Sequence, residues 1–405
     1  MNLSYFLAKR ISFKQAGGFS GILHRIAVAS LALGLGVAML SIMVLGGFQK
    51  SVSSRVYGFT GNFQVQKYQM SSAYEEQPFS VDPEFLAKAK EFPFVGKVQS
   101  YAHKAALLKG GEEVEGVVLK GVDRDLDTLG FAKYLVEGRM LHLPDSGVSN
   151  EILVSKLVAN KLLLQLGDKV TLYFVQQPPR FRRVEVVGIF ETYLENFDEQ
   201  VILGELQTIR NLNGWSKEQV GGLEIHLKDP THSDDYATLI EEELDYDLRL
   251  IDSRERYLDI FDWLKLLDTN VIVFITLIGV VALVNLGAIL FILIMERTQM
   301  IGILKAMGSK NSQIRRLFFW SGLHILGKGL LLGNAVGLII GGLQYYFHLI
   351  PLDPASYYMP AVPIDWNWPA FLLLNLGLIL LTAVVLWIPV GFISRVDPVK
   401  SIRFD

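Results

Sequence analysis

Two kinds of stretch alternate along the chain. Runs 26–48, 271–295, 330–350 and 371–393 are almost pure hydrocarbon. Each has about 20 or more residues, which at 1.5 Å per residue crosses the ~30 Å core of a bilayer. Between the first two runs the pattern changes. "GNFQVQKY" (61–68) alternates at period 2, and "KVQSYAHKAALLKGGEEVEGVVLKGVD" (97–123) is two β-rich runs joined around Gly110-Gly111. "EILVSKLVANKLLLQLGDKVTLYFV" (151–175) predicts strand, helix, a Gly167-Asp168 turn and a second strand. "FRRVEVVGIFET" (181–192) and "EQVILG" (199–204) predict further strands, and 221–252 predicts a β-α-β unit. A helix over 253–267 then leads into the second run. The expectation is a polytopic α-helical membrane protein with four transmembrane helices, carrying a large extracytoplasmic α/β domain of two lobes between helices 1 and 2.

Charge orients this plan. Segment 48–262 holds 35 Asp/Glu against 24 Lys/Arg. Lys9, Arg10, Lys14 and Arg25 precede the first run, and Arg297, Lys305, Lys310, Arg315 and Arg316 follow the second. Arg395, Lys400 and Arg403 lie in the tail, whereas 351–369 has no Lys or Arg but carries Tyr357, Tyr358, Trp366 and Trp368. Positive-inside bias puts both termini and the 296–316 loop in the cytoplasm and the acidic segment outside. The expected divisions are 1–25 (cytoplasmic), 26–48 (helix 1, an uncleaved signal anchor), 49–263 (outer domain) and 264–295 (stalk end and helix 2). They continue as 296–316 (cytoplasmic loop), 317–350 (helix 3), 351–369 (outer loop), 370–393 (helix 4) and 394–405 (cytoplasmic tail).

Composition narrows the chemistry. The chain has 405 residues, 51% of them hydrophobic, and a mean hydropathy of +0.33, which fits a mixed membrane and soluble protein. It has no cysteine, which excludes disulfides, thiol catalysis and Cys-based metal sites. No H-E-x-x-H occurs among the seven histidines, and the acidic runs 112–115 and 235–247 lack calcium-loop spacing, so no metal or catalytic site is expected. The negative outer domain argues against nucleic acid. "GLHILGKG" (322–329) opens like a phosphate loop, but Gly329 stands where Ser or Thr should hold magnesium and the surroundings are an apolar helix. The same region spaces Gly329, Gly333, Gly337 and Gly341 one turn apart, and Ser30, Gly34 and Ala38 repeat the pattern, as close helix packing in lipid requires. Lys328 marks a membrane boundary or a polar path; Asn285 is interhelical glue or faces a substrate.

The connection "MERTQMIGILKAMGSKNSQIRRLFFWSG" (295–322) is a basic amphipathic helix where a plain turn would do. Met300, Ile301, Leu304 and Met307 share one face, Gly302 and Ala306 a flatter one; Gly308 is a stop, and Ser309 or Asn311 caps the next helix. Residue chemistry leaves two readings, an interfacial anchor on anionic lipid or a docking helix. Glu296, Arg297, Ile301, Gly302, Ile303, Leu304, Lys305, Ala306, Met307 and Gly308 resemble the hallmark of the FtsX-like superfamily of ABC transporter permeases. "DPVKSIRFD" (397–405) resembles that superfamily's ending; 46–65 and 152–172 are similar to its lipoprotein-releasing branch.

This resemblance implies that Glu296, Arg297, Ile301, Gly302, Leu304, Lys305, Ala306 and Gly308 couple to a separate cytoplasmic ATPase pair. ATP and Mg would bind those partners, and this chain would hold no cofactor. It also implies a second permease subunit, identical or not, a bacterial inner-membrane location, and a lipoprotein substrate whose acyl chains contact Val37, Leu40, Met43, Ile275 and Ile278. A soluble periplasmic carrier is a further implied partner, yet the arm that recruits one is here only "QQPPRF" (176–181). Two other functions fit the same pattern: a mechanotransmission permease that drives an efflux duct or hydrolase, and a membrane-tethered receptor or scaffold without an ATPase.

Overall fold

The computed structural model describes residues 19–69, 75–144 and 147–391. The basic residues of 1–18 and the tail 394–405 lie outside them. The chain divides into a helical unit (up to Lys50, Trp263–Pro351 and from Ala361) and an α/β unit (Ser51–Asp262 and Leu352–Pro360).

Among the described residues, four helices are long and apolar enough to span a membrane: α1 (Phe19–Thr60), α6 (Leu258–Glu296), α8 (Asn311–Phe347) and α9 (Trp368–Gly391). α1 has 42 residues and α6 has 39, about twice what a bilayer needs. Both therefore continue, unbroken, well past the apolar runs seen in the sequence. Short α7 (Thr298–Ala306) lies between α6 and α8.

In the α/β unit, twelve strands among the described residues carry helices that include α2 (Pro83–Glu91), α3 (Lys156–Lys161), α4 (Leu206–Asn213) and α5 (Ser233–Glu241). The strands used below are β1 (Phe63–Lys67), β3 (Val95–Gly110), β4 (Glu113–Val122), β5 (Leu135–Gly138), β6 (Glu151–Ser155), β7 (Lys169–Phe174), β8 (Arg180–Phe190), β9 (Val201–Glu205), β11 (Gly222–Leu227) and β12 (Leu248–Asp252). Ten strands form a single sheet ordered β12-β1-β11-β3-β4-β9-β6-β8-β5, with β7 bridging β3 and β8. The two expected lobes are thus not parted by a linker. β3 pairs over residues 95–101 with β11 and over 101–110 with β4, so one 16-residue strand belongs to both halves. Gly111 turns the β3–β4 hairpin at φ +61°. A large core cluster of inward residues along these strands includes Phe63, Val65, Val98, Leu119, Val154, Val186 and Ile225.

Candidate functional sites

The helical unit is assembled on glycines. A Cβ at Gly329 would lie 2.7 Å from Leu31 Cβ, at Gly333 2.9 Å from the Ala32 carbonyl, and at Gly341 2.6 Å from Met43 Sδ. Gly337 meets Met39, so the α8 stripe lies directly on α1. Gly36, not picked out by the sequence, faces Gly333 across the same seam, and Ala38 is buried. Gly34 turns to α6, against Ile278 and Ala282, and there Asn285 Nδ2 donates to Ser30 Oγ at 2.7 Å. Asn334 and Asn375 exchange two amide hydrogen bonds, 2.8 and 3.0 Å, between α8 and α9. Segment 322–329 is continuous helix, which rules out a phosphate loop, and Lys328 is exposed.

Five acyl-contact candidates sit differently. Val37 is 37% exposed; Leu40, Ile275 and Ile278 are half-buried. Met43 is a correction: it has no exposed surface, because α8 approaches at Gly341 close enough to cover it.

α7 is the elbow. Glu296 ends α6 and is exposed, and Arg297 is the residue before α7. Gly308, at φ +86°, donates to Lys305 O while Ser309 N–H reaches Leu304 O at 3.0 Å, a Schellman stop. The next cap is neither Ser309 nor Asn311. Lys310 holds that position, its N–H donating to Gln313 Oε1 at 3.0 Å. Ile301 packs with Ile294, Ile314, Leu317 and Phe318, and Met300 and Leu304 close over them. Gly302 is buried with Ile301, a second correction: it belongs to the packed side, not to an open flat face. What α7 leaves exposed is Gln299, Ile303 (47%), Ala306 and Met307 (78%), while Lys305 is half-buried. An apolar pair in that position marks a partner surface or a lipid surface.

The last turns of α1, residues 51–60, belong to the α/β unit and are tied into it. Arg55 donates to Thr192 O at 2.9 Å and lies over the Tyr193 ring, in a loop held by Asp198 through Thr192 N, Thr192 Oγ1 and Tyr193 N. Burial pushes the Asp198 carboxyl up even though these three donors pull it down. Phe59 packs among Phe131, Phe190 and Phe197. Beside it is a group that sequence reasoning missed. Lys120 on β4 donates to Glu224 on β11 at 2.7 Å and to the Phe59 carbonyl, with both charged side chains buried. Gln64 Nε2 reaches Glu224 at 3.4 Å, and Arg256 donates to Gln64 Oε1 at 2.6 Å. Over a hundred residues separate Lys120 from Glu224, so no local motif exists. The available signal was a charge amid the apolar alternation of "GVVLKGV" and "GLEIHL".

Comparison with known proteins agrees with this architecture. Residues 26–243 match the MacB-like periplasmic core domain, and 272–398 match the FtsX-like permease C-terminal domain. The lipoprotein-releasing system transmembrane protein LolC of Xylella fastidiosa is 23% identical over 425 residues, covering 100% of this chain and 98% of the relative. LolE of Haemophilus influenzae is 20% identical, with 99% of each covered, and LolC of Neisseria meningitidis serogroup B is 22% identical, with 97% and 96% covered. Among solved structures, the periplasmic region of MacB from Actinobacillus actinomycetemcomitans aligns at TM-score 0.36 and 13% identity, covering 51% of this chain and 95% of that one. One family model accounts for more than half of the sequence and a second for most of the rest, so the chain belongs to the FtsX-like, MacB-type superfamily of ABC transporter permeases.

Proposed function

We infer that this permease couples ATP hydrolysis on separate cytoplasmic subunits to the extraction of lipoproteins from the outer leaflet of the inner membrane. Similarity to lipoprotein-releasing proteins along practically the full length is the observation that carries this reading. The chemistry fits the need. Each CH₂ of an acyl chain is held in lipid by roughly 0.8 kcal/mol, so release of a multiply acylated protein requires work. Two subunits would gather the acyl chains along exposed apolar flanks, with Val37 on α1 and Ile272, Leu277 and Val284 among those offered by α6. The ATPases would pull on α7, and α1 and α6, gripped at their far ends in the α/β unit, would carry the movement.

The second reading is a mechanotransmission permease without a lipid cargo, and the match of 26–243 to a MacB-like core favours it. The β7–β8 connection is only 175–179, too short for a carrier-recruiting arm, so a soluble carrier is left out of either scheme. A photo-crosslinker at Val37, in the assembled complex, separates the two. Lipoprotein adducts that disappear on ATP addition are expected; adducts with phospholipid alone would leave transmission as the function. Position 43 is unsuited to the probe because α8 covers it.

A further inference from the structure

A cavity of about 360 Å³ opens in the α/β unit where α1 ends, walled by the Lys120–Glu224 pair, Gln64, His103, Arg256 and Tyr257. Its volume lies in the range of small-molecule sites. Its charges are not explained by stability, because a buried ion pair recovers little more than its own desolvation cost. Nor are they fully used. Glu224 Oε1 takes both Lys120 and Gln64, while Oε2 accepts no hydrogen bond among the described residues. Arg256 spends one N–H on Gln64 and makes no ion pair among the described residues. The Tyr257 hydroxyl has no hydrogen-bond partner among them, and burial raises it to about 12, so it stays a neutral donor.

The Gln64 amide therefore stands between the Arg256 guanidinium and the Glu224 carboxylate, one oxygen of which is taken by Lys120 and the other left open to the cavity. β1 fixes this arrangement: Gln64 stands in register between Glu224 on β11 and Ile251 on β12. A simple anion here would satisfy Arg256 but leave the open Glu224 oxygen unused, and a simple cation would meet both Lys120 and Arg256. A molecule carrying both charges satisfies each.

We propose that this cavity binds a small zwitterion bearing a primary ammonium and a phosphate or carboxylate. The ammonium takes Glu224 Oε2, and the anionic end takes the remaining Arg256 N–H groups and the Tyr257 hydroxyl. That chemistry is shared by an ethanolamine phospholipid headgroup and by free phosphoethanolamine or an amino acid. The site closes on residues that finish α1 and precede α6, so occupancy would stiffen the ends of both helices.

Calorimetric titration of the full-length chain in detergent, with O-phosphoethanolamine, inorganic phosphate and ethanolamine in turn, tests the assignment. The zwitterion should bind at least about tenfold tighter than either half alone, and Arg256→Gln should weaken it by about tenfold. Tyr257→Phe keeps the ring packed at 5.1 Å from Phe197 and should weaken binding several-fold, so a misfolded Arg256 variant would not spoil the test. In parallel, lipid retention is read by native mass spectrometry from discs of phosphatidylglycerol with or without phosphatidylethanolamine. Binding of the free compound identifies a soluble ligand, and retention of phosphatidylethanolamine alone identifies a headgroup. Zwitterion and phosphate bound equally, affinity unchanged in both variants, or neither ligand bound would overturn the proposal.

Discussion

At the scale of single residues, burial decides behaviour more than residue type does. His226 on β11 contacts Gln99, and burial pushes its imidazole below the ordinary value of 6.5, with Lys120 adding to the effect and Glu224 opposing it. As pH falls through that value the unfolded chain binds a proton that the folded chain refuses. His226 therefore costs no stability at higher pH and costs progressively more as pH drops towards its folded value. His226→Gln should flatten the fall in melting temperature between about pH 7.5 and about pH 5.5. Differential scanning fluorimetry of the detergent-solubilised chain measures it, and an unchanged slope would remove His226 from the acid response. The opposite balance holds at Glu76. Burial alone would raise it, but electrostatic attraction to His103 and two hydrogen bonds from it leave the carboxyl below its ordinary range.

At the scale of elements, α7 has two faces that do separate jobs. Ile301 packs it on α6 and α8 and Gly302 is buried with it, while Ile303 and Met307 are exposed. Ile303→Asp should cut co-purification of the ATPase about tenfold or more with the chain still inserted and folded, as loss of a central apolar anchor does. Gly302→Trp should instead damage packing and lower the melting temperature. If Ile303→Asp retained the ATPase fully, α7 would be a lipid anchor. The amphipathic period of this helix and its Gly308 stop were legible in the sequence, because both are local. Which face points outward was not, since that depends on where α8 turns back. The β3–β4 hairpin was legible for the same reason, through Gly110-Gly111. α4 was not foreseen: it lies on β4 so tightly that a Cβ at Gly121 would meet Leu206 and Ile209 at 2.8 Å, a purely tertiary constraint. The buried Lys120–Glu224–Arg256 group escaped for that reason too.

At the scale of the molecule, four candidate spans and an acidic insertion follow from hydropathy and charge alone, and four helices among the described residues are long and apolar enough to hold them. Orientation is testable independently. An alkaline phosphatase fusion after Gly111 should be active and one after Ser309 inactive, with reversed signals for a cytoplasmic reporter; the opposite pattern would invert the topology. The helix expected over 253–267 leads into the second run as α6, whereas sequence understated the reach of α1, because its polar last turns read as the start of a soluble domain.

One further consequence comes from how α1 is held. Four α8 glycines line one side of it, Asp365 N–H binds the Met43 carbonyl at 3.0 Å, and Lys50 pairs with Asp365 at 3.1 Å. Towards α6, its described bonds are Ser30–Asn285 near one end and Gln49–Asp268 near the other. Among the described residues, α1 is thus seated on α8 glycine by glycine along its length but hydrogen-bonded to α6 at two points far apart, so a sideways shift of α6 disturbs fewer close backbone contacts than the same shift of α8.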